Sequence, residues 1–499
     1  MTPSEYYNSK VTDRKIYEDR AKLIAKLTIP YIIREPTDNS TTTMTDTSNQ
    51  SFGAKLINTL KAKMGMALLP PSTSSFKLEP NPEALAELTG GSADNNAKVA
   101  QLISQATDTI NKELELQQIR SSLFDIIVEM LIVGAVIVEK KKKKGILLHK
   151  LQTFVVDLDP QGQPIKFCIK EVLPPESVPD DIQLKDPEAE EDVKLYTQLD
   201  LDQQSKKWIM TQELDGEIVG DEKTFKDYDS LPFRYFGWTW ITGDDYHRPY
   251  TEDYYKDLEQ LDKLHKLLVD GSIVAAKTLL FVNERGGRTR KDEVALSNNG
   301  DVIDGVADDV TALQLGKNYD FQIPMEMMQD LKKTLSSAFL MNESVTRDAE
   351  RVTAQEIRFM AQELETSSLS GIYSKLALQW SKWIVEKIME ELNIKFNEID
   401  VKILTGLDAL GRNQEAQKLD AVVMRLANLG MAHWLKEDEL VNRYMAFEGV
   451  NSVNLIKTPA EVDAELKQAQ AMQAAQQADL AAAQEGGKRV VDNAIPPQQ

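Results

Sequence analysis

NESVTRDAERVTAQEI, Asn342 to Ile357, runs into a forty-residue stretch, Thr353 to Leu392, whose periodicity decides the fold. Thr353 and Glu356 stand at capping-box spacing, in which the hydroxyl accepts an amide of the first turn and the glutamate reaches back to the cap. Apolar residues then recur at Ile357, Met360, Ala361 and Leu364, and again at Ile372, Leu376, Trp380, Trp383 and Ile384. This three-and-four spacing marks one face of a helix. It predicts a single rod that would run to roughly 60 Å at 1.5 Å per residue, with Gly371 as the expected place for a bend.

Working upstream, two helices bracket a compact insert. EDYYKDLEQLDKLHKLLVDGSIVAAK predicts a helix over 251–277, with Leu258, Leu261, Leu264 and Leu268 in its stripe. A short β-type insert follows to about Tyr319. A second helix then runs from about Pro324 to Met341, with Met327, Met328, Leu331, Leu335 and Ala338 on its apolar face. Proline in a first turn costs little because its missing amide had no partner there.

Nearer the N-terminus, 14–34 reads as a helix passing into an extended LTIPYIIR, and 36–50 as a polar loop. Phe52 to Leu68 reads as a helix stopped by Pro70-Pro71, and 96–138 as helical throughout with an apolar second half. From Gly145 to about Thr242 the pattern changes to short alternating strands: ILLHKLQTFVVDLD, IKFCIKEVL, VKLYTQL, KKWIMTQEL and LPFRYFGWTWIT. DPQG and LDGE supply turns, and Pro174 to Asp192 forms an acidic, proline-rich loop. The lysine run Lys140 to Lys144 lies before Gly145 and reads as a solvated turn rather than a DNA-binding patch. Downstream of Leu392, NEIDVKIL predicts a strand, Gly411 to about Gly449 two or three helices, and Ala460 to Gln484 an Ala/Gln-rich helix of high propensity. The fold class is therefore α+β, mainly helical.

The 499 residues suit about three domains. One cysteine, Cys168, excludes an intrachain disulfide framework. No apolar run reaches the roughly 20 residues of a membrane span, and the first residues lack the hydrophobic core of a secretion signal, so a soluble cytoplasmic product with no membrane role is expected. Acidic residues outnumber basic ones by 79 to 58, giving a charge of −21. That balance argues against a protein gripping nucleic acid over a wide basic face.

Catalytic signatures are missing. Gly316-Lys317 is followed by Asn318 and Gly487-Lys488 by Arg489, so neither provides the hydroxyl of a P-loop. The histidines His149, His247, His265 and His433 form no local pair, which argues against zinc. DLDPQG imitates a calcium loop but places Cys168 where a bidentate glutamate belongs. GDDYHRP, Gly243 to Pro249, gathers two acids, a histidine and an arginine where a strand meets a helix; a structural junction is the expected reading. No enzyme activity and no cofactor are expected.

The blocks RDAERVTAQEI (347–357), ELETSSLSGIYSKLA (363–377) and TGLDALGRNQEAQKLD (405–420) resemble the portal, or head-to-tail connector, proteins of short-tailed bacteriophages. KLTIPYII (26–33) and QSFGAKLINTLKAKMGMALLPPSTSSFKL (50–78) fit the same family in the same order. The resemblance implies one subunit of a closed ring, expected to be a dodecamer, at one capsid vertex of the virion, assembled in the host cytoplasm. Residues 1–250 would form a wing, 251–277 and 322–343 the stem helices that line a channel, and 278–321 the clip. Residues 344–352 would be a loop projecting into the channel, 353–404 the long wing helix and its strand, 405–485 a crown, and 486–499 a flexible tail. The implied partners are the terminase large subunit, tail adaptor and internal core proteins, major capsid and scaffold proteins, and double-stranded DNA in transit. Another structural virion component, such as a head-completion adaptor, is the alternative.

Within that frame particular residues become candidates. Arg347 and Arg351 of the channel loop would touch phosphate transiently, with Arg351 alternatively paired across subunits. Lys332 and Lys333 would either ring the bore or face outward. Arg285, Arg288, Arg290 and Lys291 would offer either a docking patch for an acidic partner or a solvated hairpin tip. An acidic bore would repel phosphate and act as a low-adhesion sleeve.

Overall fold

The computed structural model describes residues 1–33, 48–71, 74–80, 93–178, 182, 191–276, 279–282, 290–297, 310–313, 321–341, 354–394, 399–403 and 419–430, with a few single positions besides. Two compact units are present: Met1–Phe76 with Ile110–Phe396, and Lys77–Thr109 with Asn397–Gln499.

In the first unit, helix α1 (Pro3–Leu27) begins eleven residues before the expected start. Thr2 and Glu5 form a complete capping box around Pro3 at the first position. TPSE carried this signal, ahead of any apolar stripe. The helix lies along the sheet described below: Tyr6 and Tyr7 pack with Val155, Cys168 and Tyr196. Arg14, itself buried, donates to the Phe154 carbonyl at 3.0 Å and to the Tyr7 hydroxyl at 2.8 Å. The expected extended run after it is broken by a 3-10 turn at Pro30–Ile32. Helix α2 (Phe52–Leu68) has the expected bounds, with Leu56, Ile57, Leu60 and Met64 buried.

β1 spans Phe76–Pro80. The predicted helix over 96–138 is instead helix α3 (Ala93–Leu116), helix α4 (Ile119–Ile132) and strand β2 (Ala135–Lys141). Gln118 breaks the first join in a left-handed conformation, φ 53°. Gly134, at φ 99°, makes the second, where a β-carbon would sit 2.5 Å from the His247 carbonyl oxygen. Ala135-Val136-Ile137-Val138 is buried, as an apolar run predicts, but β-branched residues favour the strand once a glycine releases the helix.

β2 pairs antiparallel with β3 (Gly145–His149) and β9 (Phe233–Gly237). Lys142 to Lys144 of the lysine run make the hairpin turn between β2 and β3, whereas Lys140 and Lys141 end β2, and Lys140 is buried and 2.9 Å from Glu391. The expected single strand ILLHKLQTFVVDLD is cut by a 3-10 turn at Leu151–Thr153, where the chain leaves one sheet for another. The second sheet is an antiparallel meander of β4 (Phe154–Leu158), β5 (Pro164–Leu173), β6 (Val193–Leu201), β7 (Trp208–Leu214) and β8 (Glu217–Phe225). β8 is exposed along most of its length, so it lacks the alternation that marked its neighbours.

Helix α5 (Tyr255–Ala276) and helix α7 (Gln322–Ala338) bracket the insert, within which lie β10 (Leu279–Val282), the short helix α6 (Lys291–Leu296) and β11 (Val310–Leu313). β10 and β11 pair antiparallel. The predicted long helix is segmented: α8 (Ala354–Thr366), α9 (Ser370–Leu376), a π-turn at Ala377–Ser381, and α10 (Lys382–Glu391). The interruption falls at Ser367–Leu369 rather than at Gly371. There Thr366 and Ser367 donate to the Gln362 and Leu364 carbonyls, and the Leu369 amide donates to the Ser367 hydroxyl. Side-chain hydroxyls thus compete with the helical ladder. The predicted stripe is otherwise in the core: Met360, Leu364, Leu376, Trp380, Trp383 and Ile384 are buried, and Phe236 of β9 meets Trp380 edge-on at 5.6 Å.

In the second unit β1 pairs with β12 (Ile399–Ile403), within the expected NEIDVKIL strand, and 419–428 is helical. The Thr353 cap, the channel loop 344–352, most of the 174–192 loop, most of the crown and the 486–499 tail lie outside the described residues.

Candidate channel and docking surface

Helices α5 and α7 make an antiparallel pair around the insert. Their fully buried side chains, Leu258, Leu261, Leu335 and Phe339, lie at one end, while at the insert end the Phe321 ring lies close over Gly271. Tyr250 and Tyr254 close that end, each edge-on to Phe339 within 5.4 Å, and the Tyr250 hydroxyl donates to the Ala338 carbonyl at 2.8 Å. Toward the insert the pattern reverses. Leu267, Val269 and Ile273 of α5 and Ile323, Met325 and Met327 of α7 are exposed. Phe281 and Leu296 of the insert are exposed as well. Singly such residues are ordinary, but here they leave apolar area open on more than one side of the helix pair, since Leu267 and Ile273, like Ile323 and Met325, point to different sides of their helices.

The pair is nearly neutral. α5 carries Lys256, Lys263 and Lys266 against Asp257, Glu259, Asp262 and Asp270, and α7 carries Lys332 and Lys333 against Glu326 and Asp330. The excess negative charge of the chain therefore lies outside these two helices. Glu259 is held below the usual carboxylate range by hydrogen bonds from Lys263 and Lys256, at 2.9 and 3.0 Å.

Two anchors fix the pair to the rest of the first unit. Asp262 of α5 accepts from the Ser48 hydroxyl and the Asn49 amide, both at 2.6 Å. Lys63 of α2 is buried and donates to the Leu340 carbonyl at 2.6 Å and to Glu363 of α8 at 2.7 Å. One ammonium thus ties together the end of α7, the start of the segmented helix and α2.

Of the candidate residues, Lys333 is exposed. Lys332 is half-buried, with its ammonium 5.9 Å from the Phe52 ring centroid. Arg290 and Lys291 are exposed at the start of α6. Arg285, Arg288, Arg347 and Arg351 lie outside the described residues.

GDDYHRP does not converge on a reaction site. Asp244 accepts from Arg248 at 2.6 Å. His247 points the other way, buried against β9, with Nδ1 3.0 Å from the Tyr235 hydroxyl. Burial, with the Lys375 charge adding to it, pushes the His247 imidazole down to about 3, so it is neutral packing. The Asp159 loop closes as a turn, with the Gly162 amide on the Asp159 carbonyl at 2.9 Å.

A family model described as bacteriophage head to tail connecting protein matches residues 4–452. The chain belongs to that family. The resemblance carried by the five sequence blocks is thereby borne out, and this connector is a structural component of the phage head-to-tail junction in the virion. It is 30% identical to the portal protein of Enterobacteria phage T3 over 441 residues, covering 85% of this chain and 81% of that protein. It is 29% identical to the portal protein of Escherichia phage T7 over 458 residues, covering 88% and 84%. With the portal protein of Pseudomonas phage phiKMV the identity is 26%, covering 92% of both. Among solved structures, a chain from the neck of an empty gene transfer agent particle, computed with C6 symmetry, aligns with a TM-score of 0.39 at 10% identity, covering 81% of this chain and 90% of that one.

Proposed function

We propose that this connector is a portal protein: twelve copies close a ring at one capsid vertex, and double-stranded DNA enters and leaves the head through its centre. The carrying observation is the α5–insert–α7 hairpin, whose outer half leaves six large apolar side chains uncovered in the single chain. Head-to-tail contact between neighbouring hairpins would bury them, and such heterologous contacts close when the rotation per copy divides the circle. The hairpin is the stem and 278–321 the clip. The clip docks the terminase large subunit during packaging and the tail adaptor afterwards, with Arg285, Arg288, Arg290 and Lys291 facing an acidic partner. Internal core, scaffold and major capsid proteins meet the crown and wing, and assembly takes place in the host cytoplasm.

Transit requires weak contact, because each phosphate neutralised tightly would slow the duplex. A nearly neutral stem meets that requirement. Arg347 and Arg351 supply transient contacts, and Lys333 is the exposed member of its pair. The chain has no catalytic part; the motor is a separate protein. A phage deleted for this gene should fill its heads with DNA only when the chain is supplied in trans. DNA-filled heads without it would contradict the reading.

A further inference from the structure

His149, Glu139 and Glu171 bring an imidazole nitrogen and two carboxylate oxygens within 4.8 Å of one another. They come from different sheets. Glu139 is on β2 and His149 on β3, diagonal neighbours on one face of the hairpin, while Glu171 is on β5 of the meander. His149 is buried, with Nε2 3.2 Å from Glu139 Oε2 and its ring 6.2 Å from that of Phe233. Lys141, half-buried, is 3.5 Å from the same Glu139 oxygen. The half-buried Glu171 carboxylate has no hydrogen bond or ion pair among the described residues.

Two carboxylates converging on one buried imidazole, with a single movable lysine as counter-charge, leave negative charge undercompensated. A divalent cation would satisfy it. Protein ligands lie about 2.0–2.2 Å from zinc in a tetrahedral site, which puts neighbouring donor atoms about 3.3 Å apart. The 3.2 Å between His149 and Glu139 is already that edge. Glu171, on the far side of a gap under 4.8 Å, needs only a rotamer adjustment to complete a face, and water would take the fourth position. One nitrogen and two oxygens suit a borderline first-row ion, whereas calcium and magnesium prefer all-oxygen shells.

We infer that Glu139, His149 and Glu171 form a zinc-class divalent cation site that pins the β2–β3 hairpin to the five-stranded sheet. A bound ion that the unfolded chain cannot hold raises stability by mass action. The full chain, stripped with chelator and dialysed against zinc chloride, should retain one equivalent and melt several degrees higher. Magnesium or calcium chloride at the same concentration should not reproduce the rise. Glu171→Gln removes a ligand that has no hydrogen bond or ion pair among the described residues and relieves its repulsion with Glu139, so its metal-free melting temperature should be no lower than the parent's while zinc affinity falls roughly tenfold or more. Glu139→Gln should lose the ion as well. No zinc retention by the parent would overturn the inference, and so would equal affinity in the parent and Glu171→Gln.

Discussion

Glu129 lies in the last turn of α4, buried, with Lys150 3.4 Å from its carboxylate. Burial pushes this carboxyl up to about 7 from an ordinary 4.5, with Lys150 opposing the shift. The folded chain thus holds the proton more tightly than the unfolded chain. Stability from this group is greatest below about 4.5, falls as pH rises toward about 7, and levels off above it. The shift corresponds to something on the order of 3 kcal/mol. Glu129→Gln should therefore raise the melting temperature at pH 8 and change it little at pH 4.5; an equal change at both would contradict the cause given. Lys63 makes the opposite case, a buried charge with good partners. Lys63→Met leaves Glu363 without its ammonium and should cost about 3 kcal/mol or more, read as a drop in the urea midpoint. Neither residue could be singled out from sequence, because each matters through partners far along the chain. The proposed cation site is illegible for the same reason: paired histidines and cysteines signal a site by local spacing, whereas positions 139, 149 and 171 meet only when two sheets come together.

At the scale of elements, glycines distinguish packing from propensity. Gly65 of α2 sits where a β-carbon would fall 2.2 Å from the Phe124 ring of α4, whereas Gly371 of α9 faces open space. Gly65→Ala should destabilise by about 1–3 kcal/mol through overpacking, and Gly371→Ala should stabilise by about 0.5–1 kcal/mol through propensity. Thermal unfolding of the two variants beside the parent checks both signs. Elements with an amphipathic stripe and a local stop, such as α2, were legible to the residue, as was the order helix, insert, helix. What failed were the joins. Gly134 turned an apolar run from helix to strand, and the hydroxyls at Thr366 and Ser367 broke a rod whose stripe continued unbroken. Apolar periodicity reports which side chains are buried, and it is blind to a backbone that changes direction between two buried stretches. α1 shows the converse, since its capping box precedes any stripe.

For the whole molecule, the ring requires the outer half of the α5–α7 hairpin to be covered by a neighbour. Leu267→Asp with Ile273→Asp changes two exposed side chains, so each chain should fold with an unchanged circular dichroism spectrum. Light scattering after gel filtration should nevertheless find subunits where the parent gives rings. Family membership and the hairpin order were readable from ordered sequence blocks, whereas the placement of charge around the channel was not, because helical periodicity does not say which exposed face meets DNA and which meets a neighbour. If these helices line the proposed channel, their near-neutral charge would make low adhesion a matter of scarce fixed positive charge rather than of repulsion along them. The central claim is a closed ring with an open channel. Cryo-electron microscopy of the purified full-length chain, averaged in end view, tests it most directly. Twelve-fold rings with a central hole wide enough to pass a DNA duplex, with α5 and α7 at its wall, are the predicted result. A defined closed particle with no channel, or a ring whose lumen is lined by other elements, would contradict it.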